Sequence, residues 1–416
     1  MHTQKQHHHE KKQLNIILMM VFMSFLGASI AYPILPPLFL HPTSHALIST
    51  SWNETTRLLL LGLTLACFPF GQFIGSPILG RNSDKYGRKK MLLISLIGCI
   101  IGYTLIIIAF QTDCLWLLLI GQFVTGFMEG TYTIVKAFAA EFKTINKYMS
   151  FGRINSIGSL GYIAGPLLGG FLSDSQICAW FSYVIPFIFA LFAMVIILIL
   201  VYWKLPLHTA FNCIKKESLW QQLNIIKQFK ALFSHYPHLK HLLIVSTLFT
   251  LSIDIFYEFS PVYLTGKWGM TSAMIAIYNV ALSMALSLGS VWIPSSLSKH
   301  FSHHKIITFA MLATALILSC MIIFQHPLPM LLFFALMGFS ITTVITTMSI
   351  HLSNMAHPDI QGEALGIQQS LRTLGDAIIC LFGGLIAIIS ILFPIVLSCL
   401  IAFLATLLSL FYLDKK

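Results

Sequence analysis

Asp254 and Glu258 stand one helical turn apart inside a largely apolar stretch, residues 241–264. Two carboxylates sharing a low-dielectric site cannot both ionise cheaply, so at least one of them is expected to hold a proton near neutral pH. The chemistry this allows is reversible proton uptake and release, with no covalent bond made or broken. A second apolar stretch carries Glu129 and Lys136, seven residues apart and on one helical face. About 10 Å of helix separates them, so they are not expected to pair directly. A third carries Arg372 and Asp376, spaced i to i+4 and able to pair, which reads as a structural tie between helices. Lys136 either snorkels toward one end of its helix or joins the charged set.

These residues need an apolar scaffold, and the composition supplies one. Of 416 residues, 57% are hydrophobic and 9% charged, against about 25% charged in a soluble domain. That much apolar surface requires lipid as its solvent. Runs of roughly 20 apolar residues are expected near 14–40, 57–79, 91–110, 115–140, 149–172, 180–203, 241–264, 272–294, 305–324, 328–352, 364–389 and 391–413. Backbone groups in hydrocarbon must be satisfied within each segment, which makes the runs helices. The first is too long for a signal-peptide core and is read as a retained span. The fold class expected is therefore an all-α membrane protein of twelve transmembrane helices.

Charge placement orients it. Lysines and arginines cluster before span one, after spans two, four and eight, and through 204–240, whereas the opposite loops offer only Arg57 and Lys267. Positive residues stay on the cytoplasmic side, which puts both termini and the 204–240 connector inside. The net charge of +11 is thus a topology signal, and no nucleic-acid partner is expected. The chain also repeats. Shifted by 214 residues, Gly152–Gly170 falls on Gly366–Gly384 with Gly152, Ser156, Leu160, Gly161, Leu167, Gly169 and Gly170 on identical residues. Two parallel six-helix halves follow, around a central cavity. The domains read as a His-rich cytoplasmic tail (1–13), an amino-terminal half (14–203), a connector (204–240), a carboxy-terminal half (241–413) and a short end (414–416).

Two motifs carry a family resemblance. Gly152, Gly161, Gly165-Pro166 and Gly169-Gly170 put small residues along one side of span five, beside a proline that distorts the helix. On its own this is either a close-packed seam or a moving joint. The pattern closely resembles the fifth-helix motif of major facilitator superfamily exporters that exchange drugs for protons. The run Gly80-Arg-Asn-Ser-Asp84-Lys-Tyr-Gly87-Arg88-Lys-Lys90 lies between spans two and three, with Gly80 and Gly87 expected to allow tight turns. It resembles the superfamily's loop signature, particularly in the tetracycline-exporter branch. Pro33-Ile-Leu-Pro36 in span one adds to the likeness.

The resemblance implies that Asp84 lies against the amino end of span eleven near Gly362–Ala364, and that Arg88 pairs with Glu141 as a cytoplasmic latch. It implies too that helices one, four, seven and ten line the cavity, with Glu129, Asp254 and Glu258 facing it and Tyr32 on an aromatic wall. On that basis Asp254 and Glu258 are assigned as the proton carrier, and Glu129 as the reader of a cationic substrate or a sharer of the proton. The sequence departs from the pattern at Asn82, in the absence of an acid from span one, and at Gln122, where many drug exporters carry arginine. Span ten offers Ser340, Thr342, Thr343, Thr346, Thr347 and Ser349, hydroxyls that bond either a polar ligand or their own helix.

The function implied is proton-coupled secondary transport, most directly export of a small amphiphilic molecule from a cell's inner (plasma) membrane by a monomer. Siderophore or metabolite transport remains an alternative, as does a non-transporting receptor or scaffold. No phosphate-binding loop and no nucleophile–base arrangement is present, which argues against ATP-driven transport and against an enzyme. The proton gradient is the expected energy source, with no cofactor. His7-His8-His9 reads as a solvated tail rather than a metal site, and no metal is expected elsewhere. Cys114 and Cys178, both in outer loops, are left open as a disulfide pair.

Overall fold

Proline, glycine and charge decide where these helices begin, break and end. The computed structural model describes residues 2–40, 47, 52–140, 142, 144–145, 147–205, 237–324, 326–355 and 361–413. Glu141 and most of the 204–240 connector lie outside the described residues, as do the side chains of Asp84, Lys136 and 361–370 and the surroundings of Gly152. The helices are α1 (His2–Ser29), α2 (Leu35–Leu40), α3 (Glu54–Tyr86), α4 (Arg88–Thr112), α5 (Leu115–Met128), α6 (Thr131–Ala140), α7 (Lys147–Ser173) and α8 (Ile185–Lys204). After the connector come α9 (Pro237–Trp268), α10 (Ser272–Leu297), α11 (His303–Ile323), α12 (Pro327–Met355), α13 (Gln361–Ile389) and α14 (Phe393–Leu413). Ten of them are long and apolar enough to cross a membrane. The α5–α6 pair and the glycine-rich α7 complete the twelve-helix membrane fold.

Four expectations change at the level of single residues. Span one is not continuous: α1 stops at Ser29, turns run through Ile34, and α2 follows. Pro33, Pro36 and Pro37 withhold backbone N–H donors there, and the residue before a proline is pushed away from helix. Span four breaks at Glu129-Gly130, between α5 and α6. The Gly80–Gly87 loop is largely helix. Gly80 lies inside α3, and a single left-handed residue, Gly87 at φ 94°, separates α3 from α4. Only glycine takes that conformation without strain, so the chain turns at one residue rather than two. The tail expected at 1–13 is also helical from His2. Glu10 anchors it, accepting hydrogen bonds from the Thr144 N–H at 2.9 Å and the Thr144 hydroxyl at 2.5 Å.

The chain forms two compact units. The first comprises Met1–Asn53, Leu63–Leu223 and Thr271–Ala276; the second comprises Glu54–Gly62, Asn224–Met270 and Ile277–Lys416. Within the first, α1 packs on α7 through glycines that admit backbone. A Cβ at Gly161 would stand 2.6 Å from the Phe22 carbonyl oxygen, and one at Gly169 would strike that of Ile30. Such approaches are what small residues permit between membrane helices. α3 and α5 meet similarly, Gly71 and Gly75 lying against Phe123 and Phe127.

Hydroxyls tie the second unit together. Ser252 and Ser398 exchange bonds between α9 and α14, each hydroxyl donating to the other's carbonyl at 2.7 and 2.8 Å. Thr308 meets Ser409 at 2.6 Å between α11 and α14, and Ser340 of α12 donates to the Ala310 carbonyl of α11 at 2.7 Å. The 214-residue repeat is visible in the contacts. In the first unit a Cβ on Gly170 would strike the Ser272 carbonyl and Ala276; in the second, one on Gly384 would strike the Leu58 carbonyl and Gly62. Each of these residues maps onto its counterpart under the same shift.

Candidate functional site

The charged residues of α9 and α13 come together inside the second unit. Asp254, with a side chain 6% exposed, accepts two bonds from Arg372: Nη2 to Oδ1 at 3.1 Å and Nε to Oδ2 at 3.4 Å. The sequence spacing suggested Arg372 with Asp376, on its own helix. The structure gives the guanidinium to Asp254 on the neighbouring one. A two-pronged arginine–carboxylate bond suits a buried site because it satisfies both oxygens. Glu258, one turn further along α9, is buried. It lies with Asp376 and Cys380 of α13, the ligand atoms of all three within 4.8 Å of one another. The Cys380 thiol points at Asp376 Oδ1, 3.8 Å away.

The site thus holds three carboxylates and one guanidinium across two helices. Asp254 and Glu258 share a face of α9, Asp254 bonded to Arg372 and Glu258 beside Asp376 and Cys380. The Arg372 side chain is 41% exposed and lines a cleft with Ser246, Phe249, Thr250, Val344 and Met348. Cys380 escaped the sequence reading. Its position four residues after Asp376 was the available signal.

A second acid sits in the first unit. Glu129 is 6% exposed at the break between α5 and α6, its own N–H bonded to Thr125 O at 3.0 Å and Gly126 O at 3.1 Å. Ser24 of α1 and Cys99 and Tyr103 of α4 lie near enough to interact with its carboxyl group. The helix break puts the carboxylate where α1, α4 and the α5–α6 turn converge. Tyr32 lies in the turn after α1, its N–H 3.3 Å from Ser29 O. Lys136 is on α6.

Of the loop residues, Arg88 donates to the Ser83 hydroxyl at 2.6 Å. Its expected partner Glu141 lies outside the described residues, as does the contact expected between Asp84 and Gly362–Ala364. Lys89 caps α8, its ammonium 2.8 Å from Tyr202 O and 2.5 Å from Leu205 O, where a cation meets unsatisfied helix carbonyls. In the fifth-helix motif, Gly161 and Gly165 face α1, Gly169 faces Ile30 just beyond it, Gly170 faces Ser272, and Pro166 lies inside α7. Two hydroxyls of span ten, Thr343 and Ser349, bond back to their own helix at 2.7 and 2.8 Å. Cys114 and Cys178 are free thiols.

The sequence matches the Major Facilitator Superfamily over residues 17–380, with an overlapping match over 242–416. The chain belongs to this superfamily. Members of this superfamily are multi-pass membrane transporters. It is 26% identical over 396 residues to multidrug resistance protein 1 of Bacillus subtilis (strain 168), covering 92% of each chain. It is 35% identical over 190 residues to the class H tetracycline resistance protein of Pasteurella multocida, a match spanning 45% of this chain and 43% of that protein. The chain thus spans less than half the length of that relative. In fold it is similar to a D-xylose-proton symporter, with a TM-score of 0.74 at 12% identity over 97% of both chains. It is also similar to the human organic anion transporter MFSD10, with a TM-score of 0.69 at 16% identity over 96% of this chain and 99% of that one.

Proposed function

We propose that this superfamily member is a proton-coupled exporter of small amphiphilic organic molecules, working by alternating access in a cell's inner membrane with both termini inside. The observation that supports it best is the α9–α13 cluster, where Arg372 bonds Asp254 and the carboxylates of Glu258 and Asp376 lie within 4.8 Å of each other. With every acid ionised the cluster carries excess negative charge in a low-dielectric place, which a bound proton or a substrate cation relieves. An occupant of either kind disfavours the other, and that competition is the basis of antiport. In this reading Glu258 and Asp376 carry the proton and Arg372 holds Asp254 in place. Glu129, buried within the first unit, is a further acid that favours cationic over neutral molecules. The resemblance to tetracycline and multidrug resistance proteins supports the direction of transport.

The test is transport by purified protein in proteoliposomes with an imposed pH gradient, using tetracycline and a cationic dye as probes. Substrate should move against the proton flow, and Glu258→Gln and Asp376→Asn should each abolish gradient-driven accumulation. If both variants still accumulate probe against its gradient, the proton assignment is wrong.

A further inference from the structure

Glu258, Asp376 and Cys380 form more than an acidic pair, because the third member brings sulfur. Around a tetrahedral ion with sulfur at about 2.3 Å and oxygen at about 2.1 Å, the two ligand atoms stand roughly 3.6 Å apart. Cys380 Sγ and Asp376 Oδ1 are 3.8 Å apart, so this half of a coordination sphere needs almost no rearrangement. The Glu258 carboxylate arrives from the other helix, within 4.8 Å of both. Cys380 is fully buried and Glu258 only 5% exposed, so packed helices hold both donors in place.

We propose that Glu258, Asp376 and Cys380 form a three-ligand site for a soft or borderline divalent cation, zinc or cadmium, bridging α9 to α13. Sulfur selects against magnesium and calcium, which take oxygen ligands. Binding converts the Cys380 thiol to a metal thiolate. The sulfur–hydrogen bond is replaced by a metal–sulfur bond and the proton leaves to solvent, as does any proton the carboxyls hold. A fourth position stays open for water, as in three-ligand zinc sites. With the ion in place α9 and α13 are cross-linked through their charged faces, so the cation acts as an inhibitor that occupies the place assigned above to the proton. That last consequence rests on the proton reading, whereas the site itself does not.

The experiment is equilibrium binding to full-length protein in detergent, titrated with Cd²⁺ alone and followed by the ultraviolet thiolate-to-cadmium charge-transfer band. One equivalent should bind with release of at least one proton. Cys380→Ser should remove the band contributed by this site, and Asp376→Asn and Glu258→Gln should each weaken binding by about tenfold or more. An unchanged band and affinity in Cys380→Ser overturns the proposal. If that variant does not fold, the two carboxamide variants decide: wild-type affinity in both overturns it, and weakened binding in both supports it. Transport is not read in this experiment, so its failure is separate from failure of the exporter reading.

Discussion

Arg372 and Asp254 are a pair whose two ends lie in different surroundings, and removing each end should cost differently. The carboxylate is 6% exposed and the guanidinium 41%. Breaking a buried ion pair by deleting one member costs about 3–5 kcal/mol, because a charge stays buried without its counterpart. Arg372→Gln strands the buried carboxylate, yet the partly open arginine end admits some relaxation, so we expect the lower bound, about 3 kcal/mol. Asp254→Asn leaves a guanidinium that already reaches the cleft, and should cost about 1–2 kcal/mol. The double variant strands no charge and should fall near the smaller loss, a coupling of about 2–3 kcal/mol. The assay is unfolding of purified protein in mixed micelles with a rising fraction of denaturing detergent, for wild type, both single variants and the double. Equal losses in the two singles, or losses that simply add in the double, would refute the asymmetric-burial argument.

Other substitutions test other parts of the molecule. Gly169→Ala forces a Cβ onto the Ile30 carbonyl and should cost about 1–3 kcal/mol. Gly158→Ala, whose Cβ would meet only the Phe25 ring at 3.4 Å, should be neutral or slightly stabilising in the same unfolding assay. Gly87→Ala places a side chain at φ 94° and should lower stability by about 1–2 kcal/mol. Glu10→Ala removes the acceptor for the Thr144 N–H and should cost about 1–3 kcal/mol, read as a lower melting temperature. Glu129→Gln should raise the apparent KM for a cationic dye by about tenfold, equivalent to about 1.4 kcal/mol, with a smaller effect on a neutral probe. Equal effects on both probes would remove Glu129 from charge reading.

Much of the architecture was legible in the sequence because lipid enforces it: apolar runs of spanning length and glycine spacing are both consequences of one solvent. What the sequence left open was partner choice. Arg372 has an acid four residues away on its own helix and bonds one 118 residues away instead, because helix packing, not spacing along the chain, decides which carboxylate its side chain reaches. Cys380 went unread because its significance comes from Glu258 on another helix. The helical path through 80–86 was hidden for a different reason. Gly80 and the charges of that run suggest a loop, but helical hydrogen bonding carries the chain past them until Gly87 ends it. The break at Glu129-Gly130 interrupts a hydrophobic pattern that alone reads as continuous.

The fastenings of the carboxy-terminal unit differ in what they respond to. Ser252 with Ser398, Thr308 with Ser409 and Ser340 with Ala310 are neutral ties that acidity leaves untouched. The tie from α9 to α13 is ionic, running through Arg372 and Asp254 beside the Glu258–Asp376–Cys380 trio. A change in protonation therefore acts on one strut while α9, α11, α12 and α14 stay bolted together. Among the described ties, the unit thus carries one that answers to acidity beside several that do not.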